Sequence, residues 1–235
     1  MIRGGVAMTM NFTNYENTSH TKLHRIVLQQ PEPYRLYRDT LKPWFDRLLI
    51  ILAVPFVLPV LAVLVVLAAL DGGKPFYAQL RVGRDGKTFR MWKIRTMVPD
   101  ADARMKAYLD ANPAARAEWN ATQKLKNDPR ITPIGRILRK TSLDELPQLF
   151  NVLTGSMSLV GPRPMMVQQK GLYHGRAYFK LSPGITGLWQ ISDRNECDFV
   201  DRVRYDDAYG QSVSLITDLR ILFKTVAVVL RGTGC

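Results

Sequence analysis

From Leu48 to Leu70 the chain reads LLIILAVPFVLPVLAVLVVLAAL, without one charged or polar side chain. At ~1.5 Å per residue, a helix of this length covers the ~30 Å hydrocarbon layer of a bilayer. No other stretch is a comparable membrane candidate, and a mean hydropathy of −0.10 is too low for a protein with several spans. Membrane contact is therefore local. Pro55 and Pro59 interrupt the run. Neither has an amide donor, so the carbonyls of Ile51 and Pro55 lose their usual helical partners and a kink or break is expected. Basic residues lie on both sides: Arg35, Arg38, Lys42 and Arg47 before the run, Lys74, Arg81, Arg84 and Lys87 after it. A spanning helix leaves one flank poor in Lys and Arg, so this symmetry favours a bent helix that enters and leaves by one face. Length favours a single Pro-kinked crossing, which lipid tolerates. On these residues both readings stay open.

The remainder is one domain with appendages, since 235 residues do not accommodate several large domains. Disorder is excluded by 46% hydrophobic residues against 23% charged. Cys197 and Cys235 are the only cysteines, which rules out a disulfide scaffold or a four-cysteine zinc site and fits a reducing compartment. Thirty-three Lys and Arg against 20 Asp and Glu leave a net charge of +13, so an anionic partner is expected: nucleic acid, acidic lipid or a phosphorylated substrate. Residues 1–41 read as a flexible polar lead-in, too polar for a signal peptide. The membrane helix occupies 42–71 and a cytosolic domain 72–235. Within that domain, Gly83-Arg84-Asp85-Gly86 between two extended runs (residues 75–97) predicts a hairpin. Residues 100–126 predict two short helices parted near Asn112-Pro113, with a solvated charged face. The segment DLRILFKTVAVVLR, from Asp218 to Arg231, predicts a final helix that packs into the core in preference to lying on lipid.

Familiar catalytic signatures are missing: no Walker loop, no Gly-x-Gly-x-x-Gly turn, no nucleophile elbow. His20, His24 and His174 follow no metal-ligand pattern, and His174 reads as an ordinary surface residue. What remains is a carboxylate pair among cations. Asp144 and Glu145 follow Ser142, and Ser142-x-x-Glu145 matches a capping box, so on local pattern capping leads. Pro147 complicates it, because proline prefers the first helical position. A chemical role gains from the neighbours. Arg130, Arg136, Arg139 and Lys140 precede the pair, and Arg163 follows in the rigid turn Gly161-Pro162-Arg163-Pro164, able to aim one guanidinium at phosphate. Two anionic partners repel unless a hard cation such as Mg²⁺ stands between them, held by one or two carboxylates and completed by phosphate oxygens. A carboxylate can also attack phosphorus itself.

Five motifs, in order, resemble the bacterial sugar transferases, the monotopic phosphoglycosyl transferases that begin exopolysaccharide and glycan assembly. They are Asp71-Gly72-Gly73-x-x-Phe76-Tyr77; Arg81-Val82-Gly83 with Lys93-Ile94-Arg95-Thr96-Met97; Ser142-Leu143-Asp144-Glu145-Leu146-Pro147-Gln148-Leu149; Ser158-Leu159-Val160-Gly161-Pro162-Arg163-Pro164; and Pro183-Gly184-Ile185-Thr186-Gly187-Leu188-Trp189-Gln190. The likeness covers about residues 42–230 and is nearest the short galactosyl phosphate transferases.

The resemblance implies transfer of hexose 1-phosphate from a UDP-hexose to undecaprenyl phosphate, a polyprenol phosphate, with release of UMP, at the cytoplasmic face of the inner membrane. Galactose is favoured as the sugar, with glucose next. By position, Asp144 matches the nucleophile, and Glu145 its neighbour, which helps hold Mg²⁺ or assists the acceptor. Arg163, between Pro162 and Pro164, matches the arginine associated with the nucleotide. Lys93 and Arg139 are expected around the diphosphate, and Asp206 matches an acidic position near the site. The implied fold is α+β and mainly helical: a re-entrant membrane helix broken at Pro59, a small hairpin, and a compact catalytic domain with amphipathic interfacial helices. Three positions depart from the pattern. Leu58 replaces the serine before Pro59, so Pro55 is expected to share the bend; Asp193 stands where glycine is usual; Val213 replaces a tryptophan expected as an interfacial anchor. A homodimer is a further candidate, and no nucleic-acid partner is expected, since no such motif accompanies the basic residues. Two rivals remain: a non-catalytic basic tether for anionic lipid or partner proteins, and a one-step transferase using Asp144 only as a metal ligand.

Overall fold

The computed structural model describes residues 35–122, 125–192 and 202–230. The expectations for the lead-in up to residue 34 and for Asp193, Cys197 and Cys235 lie outside the described residues.

Helix α1 runs from Tyr37 to Leu70, opening with a π-helical turn over Tyr37–Leu41, and its helical assignment continues through Pro55 and Pro59. It is the one helix among the described residues long and apolar enough to cross a membrane. Its middle is bare: Phe56 is 78% exposed, and Ile51, Leu52 and Leu58 about as open as one another. Its two ends are not. Ile50 packs with Met91, Val152 and Met157, while Leu64 and Ala68 pack with Ile94 and Leu138. Both ends of α1 thus rest on the same domain.

The hairpin forms as the Asp-Gly turn predicts. Strands β1 (Phe76–Val82) and β2 (Thr88–Ile94) pair antiparallel from Phe76 opposite Ile94 to Val82 opposite Thr88, and β4 (Met165–Met166) adds to the free edge of β1. Asp85 takes a positive φ of 58° in the turn, a conformation that Asp and Asn tolerate better than most residues. The two expected short helices are α2 (Ala101–Ala111) and α3 (Pro113–Thr122), parted by Asn112. They share their own small core of Met105, Leu109 and Ala115. Next come α4 (Pro133–Thr141), α5 (Gln148–Leu153), strand β3 (Ser158–Val160), α6 (Ala177–Lys180) and strand β5 (Gly184–Thr186), parallel to β3.

After α7 (Leu188–Ile191) and α8 (Arg202–Ser212) comes the last helix, α9 (Leu215–Leu230). Only one side of it obeys the packing expectation. Ile221 and Asp218 are buried, but Ile216, Phe223 and Val226 are 58–75% exposed, so α9 is amphipathic with an open apolar face. Position 213 corrects a second expectation. Val213 is fully buried with Val160, Leu181, Tyr209 and Ile221, a core position and not an interfacial one. His174 is exposed, as read.

Candidate active site

Asp144 and Glu145 owe their position to the way α4 ends. Thr132 caps its start, its hydroxyl accepting from the Gly135 N–H at 2.9 Å, and Pro133 supplies the favoured first helical residue. Gly135 is required by close approach, since a Cβ there would collide with the Thr96 carbonyl. At the other end Ser142 turns left-handed, φ 57°, and its N–H returns to the carbonyls of Leu138 and Arg139. A non-glycine residue in that region stores strain, which surrounding packing must hold. The chain then makes a 3-10 turn over Leu143–Glu145.

The capping-box reading is overturned by this geometry. Ser142 is the C-cap of α4, its side chain makes no cap, and the carboxylates precede α5 instead of forming its first turn. Local spacing matched a start signal where tertiary packing makes a stop. Leu143 and Leu146, on either side of the pair, pack against the cluster of Leu64, Ala68, Ile94 and Leu138, which draws on α1, β2 and α4. Asp144 itself is 7% exposed.

Lys93, on β2, reaches both acids: its Nζ donates to Glu145 Oε1 at 2.7 Å and lies 3.5 Å from Asp144 Oδ2. Arg139 donates through Nε to Thr96 Oγ1 at 2.8 Å, which fixes the guanidinium close enough to act on Asp144 electrostatically. Burial pushes the Asp144 carboxyl above its ordinary range, Lys93 opposes that shift, Glu145 adds to it, and Arg139 opposes it. Burial likewise lowers the Arg139 pKa. Lys93 and Arg139 therefore keep a buried carboxylate ionisable, a condition for its use as a nucleophile.

Arg163 and Asp206 belong to a second constellation. Gly161, Gly184 and Gly187 interlock so closely that a Cβ on any of them would strike the backbone opposite, and this fixes the Gly161-Pro162-Arg163-Pro164 turn. The Gly161 N–H donates to Thr186 O, and the Gly184 N–H donates to Pro162 O, both at 2.8 Å. Arg163 lies over the Trp189 ring at 5.6 Å and Arg202 over the same ring at 5.0 Å, while Arg202 Nη2 donates to Arg163 O at 2.7 Å. Arg81 Nη1 donates to Pro164 O at 3.2 Å, and burial, then the nearby Arg163, push its pKa down to about 10. Asp206 accepts from Tyr173 Oη at 2.7 Å, and burial pushes its carboxyl up to about 6 against the pull of Tyr173 and Arg202.

The hairpin connects the two groups. Lys93 and Arg81 share one face of the β1–β2 ladder, two same-face cross-strand pairs apart, or ~13 Å along the strand. Thr96, Trp189, Arg202 and Tyr173 are contributors that sequence reasoning missed. Trp189 and Thr96 sit inside motifs quoted above, but nothing local says what they touch.

Asp144 and Glu145 are adjacent carboxylates with hard oxygens, the donors Mg²⁺ takes one or two of beside substrate phosphate and water, and in this structure Lys93 bridges them.

Comparison with known proteins gives the same direction. A 48% identical stretch, 83% of this chain, matches 41% of the "UDP-galactose-lipid carrier transferase" of Erwinia amylovora. Identity is also 48% over 83% of the chain to 41% of the "Undecaprenyl-phosphate galactose phosphotransferase" of Salmonella typhimurium. The "Exopolysaccharide production protein ExoY" of Sinorhizobium fredii is 46% identical over 81% of this chain and 85% of its own length. The chain thus spans about two fifths of the first two relatives and most of the third. The profile described as "Bacterial sugar transferase" matches residues 37–232, which takes in α1, the carboxylate turn and the Arg163 turn, and on that match the chain belongs to the bacterial sugar transferase family.

Proposed function

We propose that this chain transfers hexose 1-phosphate, from UDP-galactose or UDP-glucose, to undecaprenyl phosphate in the first membrane step of exopolysaccharide synthesis. One observation carries the reading: a buried carboxylate, Asp144, paired with Lys93 in a turn whose Leu143 and Leu146 join the same cluster as Leu64 and Ala68 of the apolar helix. An acceptor with its phosphate at headgroup level and a donor dissolved in the cytosol can meet only at such a boundary. The names of the relatives, which specify galactose phosphotransfer and a lipid carrier, favour galactose.

In the proposed chemistry an Asp144 oxygen attacks the sugar-proximal phosphorus of UDP-hexose. The bond from that phosphorus to the bridging oxygen breaks and UMP leaves with the electron pair. An undecaprenyl phosphate oxygen then attacks the same phosphorus, the acyl phosphate bond breaks, and the Asp144 carboxylate is restored with undecaprenyl diphosphate hexose as product. Lys93 and Arg139 offset charge at the diphosphate, and Arg163, backed by Trp189 and Arg202, holds the nucleotide. Asp144 and Glu145 would hold Mg²⁺, which supplies charge neutralisation between carboxylate and diphosphate. Asp206 acts from behind Arg202.

The same reading makes α1 re-entrant, bent at Pro59 and Pro55, with the domain on the cytoplasmic face of the inner membrane. Its support is that Ile50 at one end and Leu64 and Ala68 at the other rest on one domain, whereas a crossing helix carries its far end ~30 Å away. The open apolar face of α9 fits an interfacial helix. Incubation of purified protein with UDP-galactose, UDP-glucose and undecaprenyl phosphate tests the activity through UMP release. Labelled UDP-sugar without acceptor tests the intermediate: a phosphosugar adduct on Asp144 is expected, and unlabelled protein that still turns over would leave the one-step rival.

A further inference from the structure

A cavity of about 400 Å³ opens at the end of α1 remote from Asp144, between the first turns of the helix, the hairpin turn and the segment around Gly155. Its floor is a hydrogen-bonded network of two carboxylates, Asp46 and Asp218, about one ammonium, Lys42. Lys42 Nζ lies 2.6 Å from Asp218 Oδ2 and 3.9 Å from Asp46 Oδ2, Asp46 accepts from Ser158 Oγ at 2.6 Å, and Tyr209 Oη donates to Asp218 Oδ1 at 2.7 Å. Its mouth is cationic: Arg38 and Arg84, from two separate chain segments, share one carboxylate, Asp39, and Arg47 lines the same opening. Arg47 uses Nε on Leu153 O and lies over Trp44 at 5.6 Å.

The mouth also stands at the foot of the apolar helix. Leu41, Trp44 and Leu48 follow one helical stripe and are 51–68% exposed, leading directly into the bare segment from Ile51. Tryptophan with arginine beside it marks the water-to-hydrocarbon boundary, where long cationic side chains meet phosphates. An excess of guanidinium groups at that depth, over a preformed floor and beside a strip for hydrocarbon, matches the headgroup of an acidic phospholipid.

We infer that this cavity is a binding site for an anionic phospholipid, distinct from the Asp144 site. Arg47 and Arg84 hold the lipid phosphate, Asp39 limits the affinity by competing for Arg38 and Arg84, and the acyl chains lie along Leu41, Trp44 and Leu48. The inference rests on the membrane placement of α1 but not on the transfer chemistry.

The test titrates full-length protein in mild detergent with short-chain phosphatidylglycerol, short-chain phosphatidylcholine and inorganic phosphate, reading the melting temperature. Phosphatidylglycerol is expected to bind saturably and at least tenfold more tightly than phosphatidylcholine. R47Q with R84Q is expected to weaken phosphatidylglycerol about 30-fold, the effect of two cationic side chains at a membrane surface, and to leave phosphatidylcholine unchanged. D39N is expected to tighten phosphatidylglycerol about fivefold, which loss of structure cannot mimic, so it decides the matter if R47Q with R84Q does not fold. Equal response to both lipids, or an unchanged phosphatidylglycerol affinity in D39N, overturns the inference. Equal stabilisation by inorganic phosphate overturns the lipid as its source. A protein that stays dispersed without detergent and binds neither lipid refutes the membrane placement instead.

Discussion

Lys42 Nζ and Asp218 Oδ2 stand 2.6 Å apart with side chains 8% and 1% exposed, joining the start of the apolar helix α1 to α9. Removing one member of a buried pair strands the other, at a cost of several kcal/mol. Asp218 keeps hydrogen bonds from Tyr37 and Tyr209, so K42M is expected to destabilise by about 3 kcal/mol, the low end of that range. Denaturant unfolding in detergent measures it, and a loss under about 1 kcal/mol would show that the pair does not tie the helices together.

In the proposed chemistry Asp144 attacks as a carboxylate, and burial raises its pKa above the ordinary carboxylate range. Transfer is therefore expected to fall on the acid side as the carboxyl takes up its proton. K93M removes the nearest positive charge and should move that limb to higher pH. A profile of kcat/KM for UMP release against pH reads the shift; a limb that stays put, or moves to lower pH, contradicts the pairing. D144N is expected to abolish release altogether.

Asp206 titrates near 6 in the folded protein, above its unfolded value of ~3.9. The native state therefore binds more protons between those values, and the stability from this group is present at low pH and lost as pH rises through about 6. D206N removes the titration. From pH 7 to pH 5 the wild type is expected to gain roughly 1 kcal/mol relative to D206N, since only part of the two-unit window is crossed. Parallel melting curves for the two proteins would deny the shift.

Arg163 stacks on Trp189 while its backbone is held by Arg202. Lysine keeps the charge but loses the planar fork, so R163K is expected to raise KM for UDP-hexose roughly tenfold with a smaller change in kcat. The reverse split would assign Arg163 to the chemical step.

If α1 turns back, both its ends face the cytoplasm. With Cys197 and Cys235 replaced by serine, L36C and K74C are expected to resist an impermeant maleimide in intact spheroplasts and to react in inverted vesicles. Labelling of just one of them from outside would make α1 a crossing helix.

The apolar run, the hairpin about Arg84-Asp85 and the helix pair parted at Asn112 were all legible in the sequence, because each rests on local periodicity or turn chemistry within a few residues. Motif order also singled out Asp144, Glu145 and Arg163 as candidates, and the structure puts Lys93 beside the first two and Trp189 and Arg202 beside the third. Ser142 misleads for the same local reason: its spacing to Glu145 imitates a capping box, whereas in the fold it is a left-handed C-cap whose N–H returns to the carbonyls of Leu138 and Arg139.

What the residues determined unaided is which segments are helix, hairpin and long apolar run, and which carboxylates and cations recur in motif order. The tertiary structure alone decided that Lys93 meets Glu145 across 52 positions, that Arg202 and Trp189 back Arg163, and that both ends of α1 rest on one domain. Such pairings depend on burial, strand register and packing between distant segments, and those forces act only after the chain has closed on itself.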